Sequence, residues 1–592
     1  IKLNSGVPEL LLARGSALHG LRRHEEALAS FAQALALNSA YTEARHQRGV
    51  VLLDLERYAE ALACFDRVAS ESPGLAFVEG NRAVAFNGLQ RHEEALAAAE
   101  KALALDARFA MAWYQRGAAL ASLGRNAEAV LAFDKAVAID PKYTDAYSYR
   151  GIVLSLLQRH EEALASYNDG LRTRPGDADL LFNRASVFAA LRRYEEAVVD
   201  TETVLKRDPS KPYALGNLIL YKLQLADWRG LDALTEKTLN GLRAGQKTIR
   251  PLQSNLIPNS EEDQLRSARL WAEPLSTKPL WTGERYGHAR LRIAYVSADF
   301  RDHAVARLIA GVFERHDTSR VAPVAISLGP DDGSAMRTRL SNAFERFIDG
   351  RNRSDAELAA TLREMEIDIA VDLTGYTEGG RQGIFARRPA PIQMNYLGYP
   401  GTMGAAYYDY ILTDPIAVPA TQQSCYSEKL VHLPGCYLPN DAARPIAGNR
   451  TTRGDAGLPP DAFVFCAMNA VQKITPAMFD IWMRLLTNIE ASVLWLTQTT
   501  PAAINNLRRE AADRGVSGDR LIFAPFIPSN EDHIARLALA DLFLDTLPYN
   551  AHASACDVLW AGVPIVTATG RTFAGRVGAS LLAALDMPEL VA

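Results

Sequence analysis

Leu21–Leu28 reads LRRHEEAL, and the phrase returns as LERYAEAL from Leu55, LQRHEEAL from Leu89, LGRNAEAV from Leu123, LQRHEEAL from Leu157 and LRRYEEAV from Leu191. Each start lies 34 residues after the last. A fixed period of this length, with helical apolar spacing on both sides of a short turn, describes stacked helix pairs, because one pair cannot bury its apolar face alone. The small residues keep the register. Ala27, Ala61, Ala95, Ala129, Ala163 and Ala197, with Gly15, Gly49, Gly117 and Gly151, stand where two helices must approach closely. Asp140-Pro141 and Asp208-Pro209 fall at repeat junctions, where proline stops one helix and can open the next. Leu225-Ala226-Asp227-Trp228 occupies the next step without the EEA core. An atypical end repeat is what a stack requires at a boundary.

The 34-residue helix–turn–helix period is the tetratricopeptide signature. One position of each first helix, stepping through Ala13, Gln47, Asn81, Gln115, Tyr149, Asn183 and Asn217, falls on the predicted inner face. The amides Gln47, Asn81, Gln115, Asn183 and Asn217 are the candidate peptide-binding groove. An amide can hydrogen-bond the backbone of an extended peptide without reading its side chains. The plain alternative is that they are solvated groove residues.

From about residue 286 the period changes to strand-like runs alternating with helix-like runs, the pattern of parallel α/β domains. Leu291–Phe300, Val321–Leu328 and Ile367–Leu373 read as strands of a first set, with helices near Ala304–Arg315 and Asp355–Met365. Ala462–Asn469, Ser492–Gln498, Arg520–Phe526, Asp541–Thr546 and Pro564–Thr569 read as strands of a second set. The expected organisation is α plus α/β: a helical solenoid over 1–240, a helical connector over 241–285, a Rossmann-like lobe over 286–440, a linker over 441–460 and a second, nucleotide-binding Rossmann-like lobe over 461–592. Two such lobes hold a nucleotide beyond the carboxyl ends of their strands. No G-x-G-x-x-G follows the first strand and no Walker A pattern occurs, which disfavours a dehydrogenase or P-loop enzyme.

Composition narrows the classes further. The chain has 592 residues, 48% hydrophobic and 22% charged, ordinary for a folded protein, and a net charge of −5, which argues against a nucleic-acid-coating protein. Five cysteines at wide spacing, without a C-x-x-C pair, disfavour a disulfide framework and a zinc finger. No run of 18 apolar residues is present and no signal-peptide pattern opens the chain, so a cytoplasmic protein without a membrane span is expected. Ile1 at the start and the stop at Ala592 suggest a processed or partial chain.

The most informative chemistry lies in Asp545–Asp557, DTLPYNAHASACD, between a strand and a helix. Free backbone N–H groups and the helix dipole at such a start can hold a diphosphate. Ser554 offers a hydroxyl donor and Asp557 an acceptor for a ribose hydroxyl. The alternative is an ordinary N-cap serine and a first-turn charge.

With these motifs on the page, the chain resembles the O-linked N-acetylglucosamine transferase and SPINDLY family, tetratricopeptide repeats followed by a two-Rossmann (GT-B) glycosyltransferase. The resemblance rests on YVSADFRDH (Tyr295–His303), GYTEGGR (Gly375–Arg381), RPAPIQMNYLGYPGT (Arg388–Thr402), DYILTD (Asp409–Asp414), YSEKLVHLP (Tyr426–Pro434), SVLWL (Ser492–Leu496) and HASACDVLWAGVP (His552–Pro564). It implies that His303 and Asp299 lie near sugar and acceptor, and that Lys473 contacts the donor diphosphate. It further implies that Thr377, Leu397, Gly398, Pro400, His552, Ser554 and Asp557 line the donor pocket. The sequence departs from the family at Ala470 and Ala553, where polar residues are usual, and at Asn259, which takes the place of a histidine. The long insert of animal members between the lobes is absent, and the family normally continues past the last helix here, about Phe573–Leu585.

The resemblance implies an inverting transferase moving N-acetylglucosamine from UDP-N-acetylglucosamine to Ser or Thr of proteins held by the repeats. It implies no cofactor and no metal, and no Asp-x-Asp stands at a strand end. A fixed ammonium at Lys473 would stabilise the departing diphosphate instead. GDP-fucose and UDP-glucose are alternative donors. An inactive interaction scaffold is the alternative of another class.

Overall fold

The computed structural model describes residues 6–275, 277–448 and 451–592; residues 449 and 450 of the expected linker lie outside that range. The chain divides into two compact units, Ile1–Arg207 and Asp208–Ala592.

The first unit is six helix pairs: α1 (Pro8–Gly20) with α2 (His24–Leu37), α3 (Thr42–Asp54) with α4 (Tyr58–Glu71), α5 (Ala76–Gly88) with α6 (His92–Leu105), α7 (Ala110–Ser122) with α8 (Asn126–Ile139), α9 (Thr144–Leu156) with α10 (His160–Thr173), and α11 (Ala178–Ala190) with α12 (Tyr194–Arg207). Each quoted phrase is the turn inside a pair. Its second residue, or its glycine in the fourth repeat, adopts a left-handed backbone in all six: Arg22, Glu56, Gln90, Gly124, Gln158 and Arg192. The arginine or asparagine-flanking arginine that follows then grips the glutamate three residues on, as in Arg57 Nε to Glu60 (2.7 Å) and Arg159 Nε to Glu162 (2.7 Å). These pairs are exposed and fix little energy, yet they recur with the turn.

Packing inside each pair is set by size complementarity sixteen residues apart. A Cβ on Gly15, Gly49, Gly117 or Gly151 would stand 2.4, 2.6, 2.7 or 2.5 Å from the ring of Phe31, Phe65, Phe133 or Tyr167. Where the glycine is replaced, the ring shrinks too: Ala83 is matched by Ala99, and Ala185 by Thr201, all buried. Neighbouring repeats are tied by a second ladder, in which Arg82, Arg116 and Arg150 reach Asp66, Glu100 and Asp134 on the preceding helix at 2.8, 3.4 and 2.6 Å.

The second unit opens with α13 (Ala214–Gln224), α14 (Leu231–Arg243), α15 (Pro251–Ser254) and α16 (Glu261–Ala272). The seventh phrase keeps its left-handed residue, Ala226 at φ 48°. The rest of it serves another purpose. Trp228 packs on Phe479 with ring centroids 5.2 Å apart, and the Leu225 carbonyl accepts from Asn506 Nδ2 at 2.8 Å, both partners lying in the C-terminal lobe. That explains the lost EEA core. Residues 208–240, expected as the end of the solenoid, thus belong to the second unit.

Two parallel sheets follow. The first contains β1 (Leu291–Ser297), β2 (Val321–Ser327), β3 (Arg346–Asp349), β4 (Ile369–Asp372), β5 (Ile392–Asn395), β6 (Tyr410–Thr413) and β7 (Lys429–His432), in the order β3-β2-β1-β4-β5-β6-β7. Its helices are α17 (Ala304–Glu314), α18 (Ala335–Asn342), α19 (Asp355–Glu364) and α20 (Gln382–Ala386). The second contains β8 (Phe463–Ala467), β9 (Ser492–Thr497), β10 (Leu521–Ala524), β11 (Leu542–Leu544) and β12 (Ile565–Val566), in the order β10-β9-β8-β11-β12. Its helices are α21 (Pro476–Asn488), α22 (Pro501–Asp513), α23 (Asn530–Leu537), α24 (Ala553–Trp560) and α25 (Val577–Ala584). All pairings are parallel, with strand order reversing between β1 and β4 and between β8 and β11. Ligands of open parallel sheets bind outside the carboxyl ends at such reversals.

The strand runs read from sequence are longer than the strands, by one to three residues at either end in most cases. β3 and β5–β7 were not legible as strands. Gln393, Asn395 and Thr413 place fully buried polar side chains where a central strand would normally show apolar ones. One core cluster joins the two lobes through Tyr437 and Phe573, 4.9 Å apart, and Glu261 of α16 meets Arg576 before α25 at 2.8 Å. Burial raises the Glu261 carboxyl to about 7, against the opposing pull of Arg576.

Candidate active site

Asp299 and His303 follow β1 at the first reversal. His303 is the N-cap of α17, its Nδ1 accepting from the Val305 N–H at 3.3 Å. The same Nδ1 stands 3.4 Å from Asp299 Oδ1. These two uses compete. Accepting from Val305 requires the Nδ1 lone pair, whereas pairing with the carboxylate requires Nδ1–H and turns Nε2 into a free acceptor. Burial pushes the imidazole below its ordinary value, and Asp299 opposes it. Burial likewise raises the Asp299 carboxyl, against His303 and Arg301. A neutral ring oriented by a buried carboxyl is equipped to take a proton.

Thr377 lies in the loop after β4, its Oγ1 donating to the Thr374 carbonyl at 2.8 Å. Thr374 Oγ1 in turn accepts from the Ala298 N–H at 3.0 Å, tying this loop to the one carrying Asp299. Leu397, Gly398 and Pro400 follow β5. Leu397 is buried at φ +74°, an uncommon conformation for a branched side chain. Such local strain is held only where the surroundings over-determine it, and it clusters at ligand sites. A Cβ on Gly398 would lie 2.1 Å from the Leu373 carbonyl, so only glycine lets the two loops close up.

Lys473, Asp545, His552, Ser554 and Asp557 gather at the second reversal. Lys473 ends a single 3-10 turn, Val471–Lys473, after β8. Its Nζ donates to the Asn550 carbonyl at 2.8 Å and sits 3.7 Å from the centre of the Tyr549 ring. Burial brings the ammonium down to about 8, with Asp545 opposing. Asp545 anchors the loop: Oδ1 accepts from the N–H groups of Thr546 (2.8 Å) and Ala551 (2.6 Å), and Oδ2 from Thr567 Oγ1 (2.7 Å). Burial still raises it to about 6. Asn550 closes the loop, its Nδ2 donating to the Thr546 carbonyl at 2.9 Å and its Oδ1 accepting from the Gly578 N–H at 3.1 Å.

His552 is the N-cap of α24 and makes no side-chain cap, so the N–H groups of the first turn, including Ser554, are not taken by it. Its Nε2 donates to the Ala574 carbonyl at 3.1 Å, which leaves Nδ1 as an acceptor. Burial and the Lys473 charge lower the ring to about 3. The imidazole is therefore neutral, and the positive charge of this site belongs to Lys473.

Asp557 has a partner that the sequence did not indicate. Its Oδ1 is engaged by Arg444 Nη2, so it is a paired carboxylate and not a free one. Arg444 also donates to Asn440 Oδ1 at 3.0 Å, and its carbonyl accepts from Trp560 Nε1 at 3.2 Å. Three residues earlier, Asp441 accepts from Arg339 of α18 at 2.6 Å. The first part of the expected linker is thus fastened to both lobes. Sequence reading missed Arg444 and gave no role to Asp545 or Tyr549 within the quoted loop. For Arg444 no local signal existed, since its partner lies 113 residues away. Buried polar atoms without a protein partner mark the same region: Asn395 Oδ1, Tyr399 Oη, Tyr437 Oη and Asn469 Oδ1. Such atoms are normally met by water or ligand.

The expected groove amides are not a uniform ladder. Gln47 and Asn183 are half-buried. Asn81 Nδ2 bonds His46 Nε2 at 3.0 Å, and Gln115, 8% exposed, accepts from Asn87 at 2.9 Å. Asn217 is withdrawn from any groove. It is 3% exposed, lies in the second unit, and accepts from Gln253 Nε2 at 2.9 Å. It became a packing residue because α13 is enclosed by α15.

Comparison with known proteins places this arrangement. Residues 278–448 and 444–592 match glycosyl transferase family 41, and 12–76, 110–143 and 151–217 match tetratricopeptide repeats. The chain is 39% identical over 306 residues to the Arabidopsis thaliana protein described as probable UDP-N-acetylglucosamine--peptide N-acetylglucosaminyltransferase SEC, covering 51% of this chain and 31% of that protein. It is 27% identical over 497 residues to the Caenorhabditis elegans UDP-N-acetylglucosamine--peptide N-acetylglucosaminyltransferase, covering 62% of this chain and 43% of that one. The chain therefore spans less than half of the length of these relatives. Among solved structures it is similar to a mutant O-GlcNAc transferase of Thermobaculum terrenum, with TM-score 0.60 and 27% identity over 82% of this chain and 87% of that one.

Proposed function

The chain belongs to glycosyl transferase family 41, and from that premise we propose that it moves N-acetylglucosamine from UDP-N-acetylglucosamine to serine or threonine hydroxyls of proteins bound by its repeats. The observation that carries this reading is the pairing of two chemistries at two strand reversals. A neutral, carboxyl-oriented imidazole follows β1, and a buried ammonium beside an uncapped helix start follows the β8–β11 reversal. The printed names of the relatives support the choice of donor and acceptor.

In this mechanism the acceptor hydroxyl attacks the anomeric carbon from the side opposite the diphosphate, and the configuration inverts. The C–O bond to the acceptor forms as the bond to the diphosphate oxygen breaks. His303 takes the hydroxyl proton on Nε2 when Asp299 holds Nδ1–H, since a serine hydroxyl is a weak nucleophile without a nearby base. The leaving UDP gains negative charge, which Lys473 and the first-turn N–H groups of α24, Ser554 among them, stabilise. Each charge-assisted hydrogen bond there is worth about 1.5–3 kcal/mol. Leu397, Gly398, Pro400 and Thr377 shape the sugar side of the pocket, and His552 packs against Tyr549 as a neutral wall. Because Lys473 supplies the charge, the reading needs no divalent metal. No helix among the described residues is long and apolar enough to cross a membrane. The five cysteines stand free of disulfides, which supports a reducing, cytoplasmic location.

The test is direct. Purified protein is titrated with UDP, GDP and their sugars, then assayed for radiolabelled sugar transfer to a peptide library in the presence of EDTA. Tight UDP binding with N-acetylglucosamine transfer supports the proposal. Selective GDP binding with fucose transfer would replace the donor, and binding of neither nucleotide would leave the interaction scaffold.

A further inference from the structure

A different chemistry sits in the first unit, far along the sequence from the lobes. His19 Nε2 lies 2.6 Å from Asp54 Oδ2. The His24 ring stands 5.5 Å from that of His19, tilted by 58°. One donor atom from each of the three residues falls within a sphere of mutual distances no greater than 4.8 Å, a closeness that no other set of three histidine, cysteine or carboxylate groups reaches among the described residues. His24 Nδ1 is buried without a partner. We infer that His19, His24 and Asp54 form a binding site for a borderline divalent metal ion, zinc(II) being the ion it suits, which staples the first repeat to the second.

Two observations support the assignment. The donor set is two imidazole nitrogens and one carboxylate oxygen, which suits zinc and leaves a coordination position for water. The placement is electrostatically favourable. His19 lies in the last turn of α1 and Asp54 is the last residue of α3, so two helix carboxyl ends, each with partial negative charge, face the cation. His24, the first residue of α2, is the one donor at a helix start.

The repeats supply internal controls. Moving the trio forward by one period gives Leu53, Tyr58 and Gly88, by two Asn87, His92 and Ser122, by three Ala121, Asn126 and Leu156, and by four Ser155, His160 and Ala190. The same backbone geometry is therefore built at every junction, and only the first carries three ligand groups. At the third repeat the position is filled by a neutral hydrogen bond, His92 Nδ1 to Asn87 Oδ1 at 3.4 Å. His160 shares the unpartnered Nδ1 of His24 but has neither companion, so a histidine there does not by itself make a site.

The controls also provide the variants. His19→Asn, His24→Asn and Asp54→Ser each install a residue that another repeat already carries at that position, so the fold is expected to survive, as circular dichroism would verify. Metal-free full-length protein is titrated with zinc(II) by calorimetry, with cobalt(II) absorption reporting the ligand field and thermal melts reporting the repeats. The expected result is one zinc per chain, a raised melting temperature, and loss of affinity by about tenfold or more for each single swap. The triple swap should remove both the zinc-induced stabilisation and the cobalt spectrum. No zinc uptake at about 100 μM by the unaltered chain, or unchanged affinity in the folded triple variant, would overturn the assignment.

Discussion

Three structural devices of the repeats occur six times each, whereas in the lobes each device occurs once. The left-handed turn residue, the arginine–glutamate grip and the sixteen-residue size match are copied from pair to pair. The Asp545 anchor, the left-handed Leu397 and the His303–Asp299 pair have no copies. Nearest-neighbour stacking spreads stability over many equivalent contacts. A site that must converge on one reacting bond cannot spread its chemistry, so single substitutions there should weigh far more.

Four experiments sharpen or break that contrast, and the largest effect is expected at His303. His303→Ala should lower transfer to protein by about 10²–10⁴-fold, the usual contribution of a positioned base, while UDP affinity stays nearly intact. A matching fall in UDP affinity would move His303 into the donor pocket, and full activity in both His303→Ala and Asp299→Ala would remove the pair from the mechanism. Next comes Arg444→Ala. It leaves the Asp557 carboxylate without its partner in a largely buried position, at a cost of about 3–5 kcal/mol in denaturant unfolding of the catalytic unit. An unchanged midpoint would show the carboxylate to be well solvated.

Lys473→Ala should weaken UDP binding by about 10–100-fold, the equivalent of one charge-assisted bond. Its pH dependence has a definite sign. The depressed ammonium, near 8, is charged below that pH and neutral above it, so UDP affinity should be level below about 8 and fall as pH rises through it. His552, near 3, adds no inflection between pH 5 and 8. A calorimetric titration series across pH 6–10 that stays flat would refute the assignment of the charge.

The smallest effect belongs to the repeats. Gly151→Ala drives a methyl to 2.5 Å from the Tyr167 ring and should cost about 1–3 kcal/mol. Combining it with Tyr167→Ala should recover part of that loss, because the third repeat packs Ala83 on Ala99 in the same place. Additive losses in the double-mutant cycle would mean that the two positions do not set each other's size.

Legibility followed the same division. The 34-residue register announced every helix pair, since local periodicity is a one-dimensional signal, whereas the left-handed turn residues, Ala226 among them, came only with the structure. The lobes were legible as apolar runs for β1, β2 and β4 and for β8–β12. They were illegible where buried polar side chains interrupt the pattern, as Gln393 and Asn395 do in β5. His303, Lys473 and His552 were singled out by the family resemblance, and the structure sets them after β1, after β8 and at the start of α24. Arg444 and Asn217 were not, because their partners come from distant segments.

The sequence by itself determined the helix pairs, their register, the two parallel lobes and the loops that carry the chemistry, because each depends on neighbours within a few dozen residues. Only the tertiary structure decided that the seventh phrase packs into the C-terminal lobe through Trp228, and that Asn217 is buried against Gln253. It also decided that Asp557 is held by Arg444 and that Lys473 loses basicity beside Tyr549. Burial and charge pairing are properties of the space around a group, and that space is assembled from segments the local sequence does not specify.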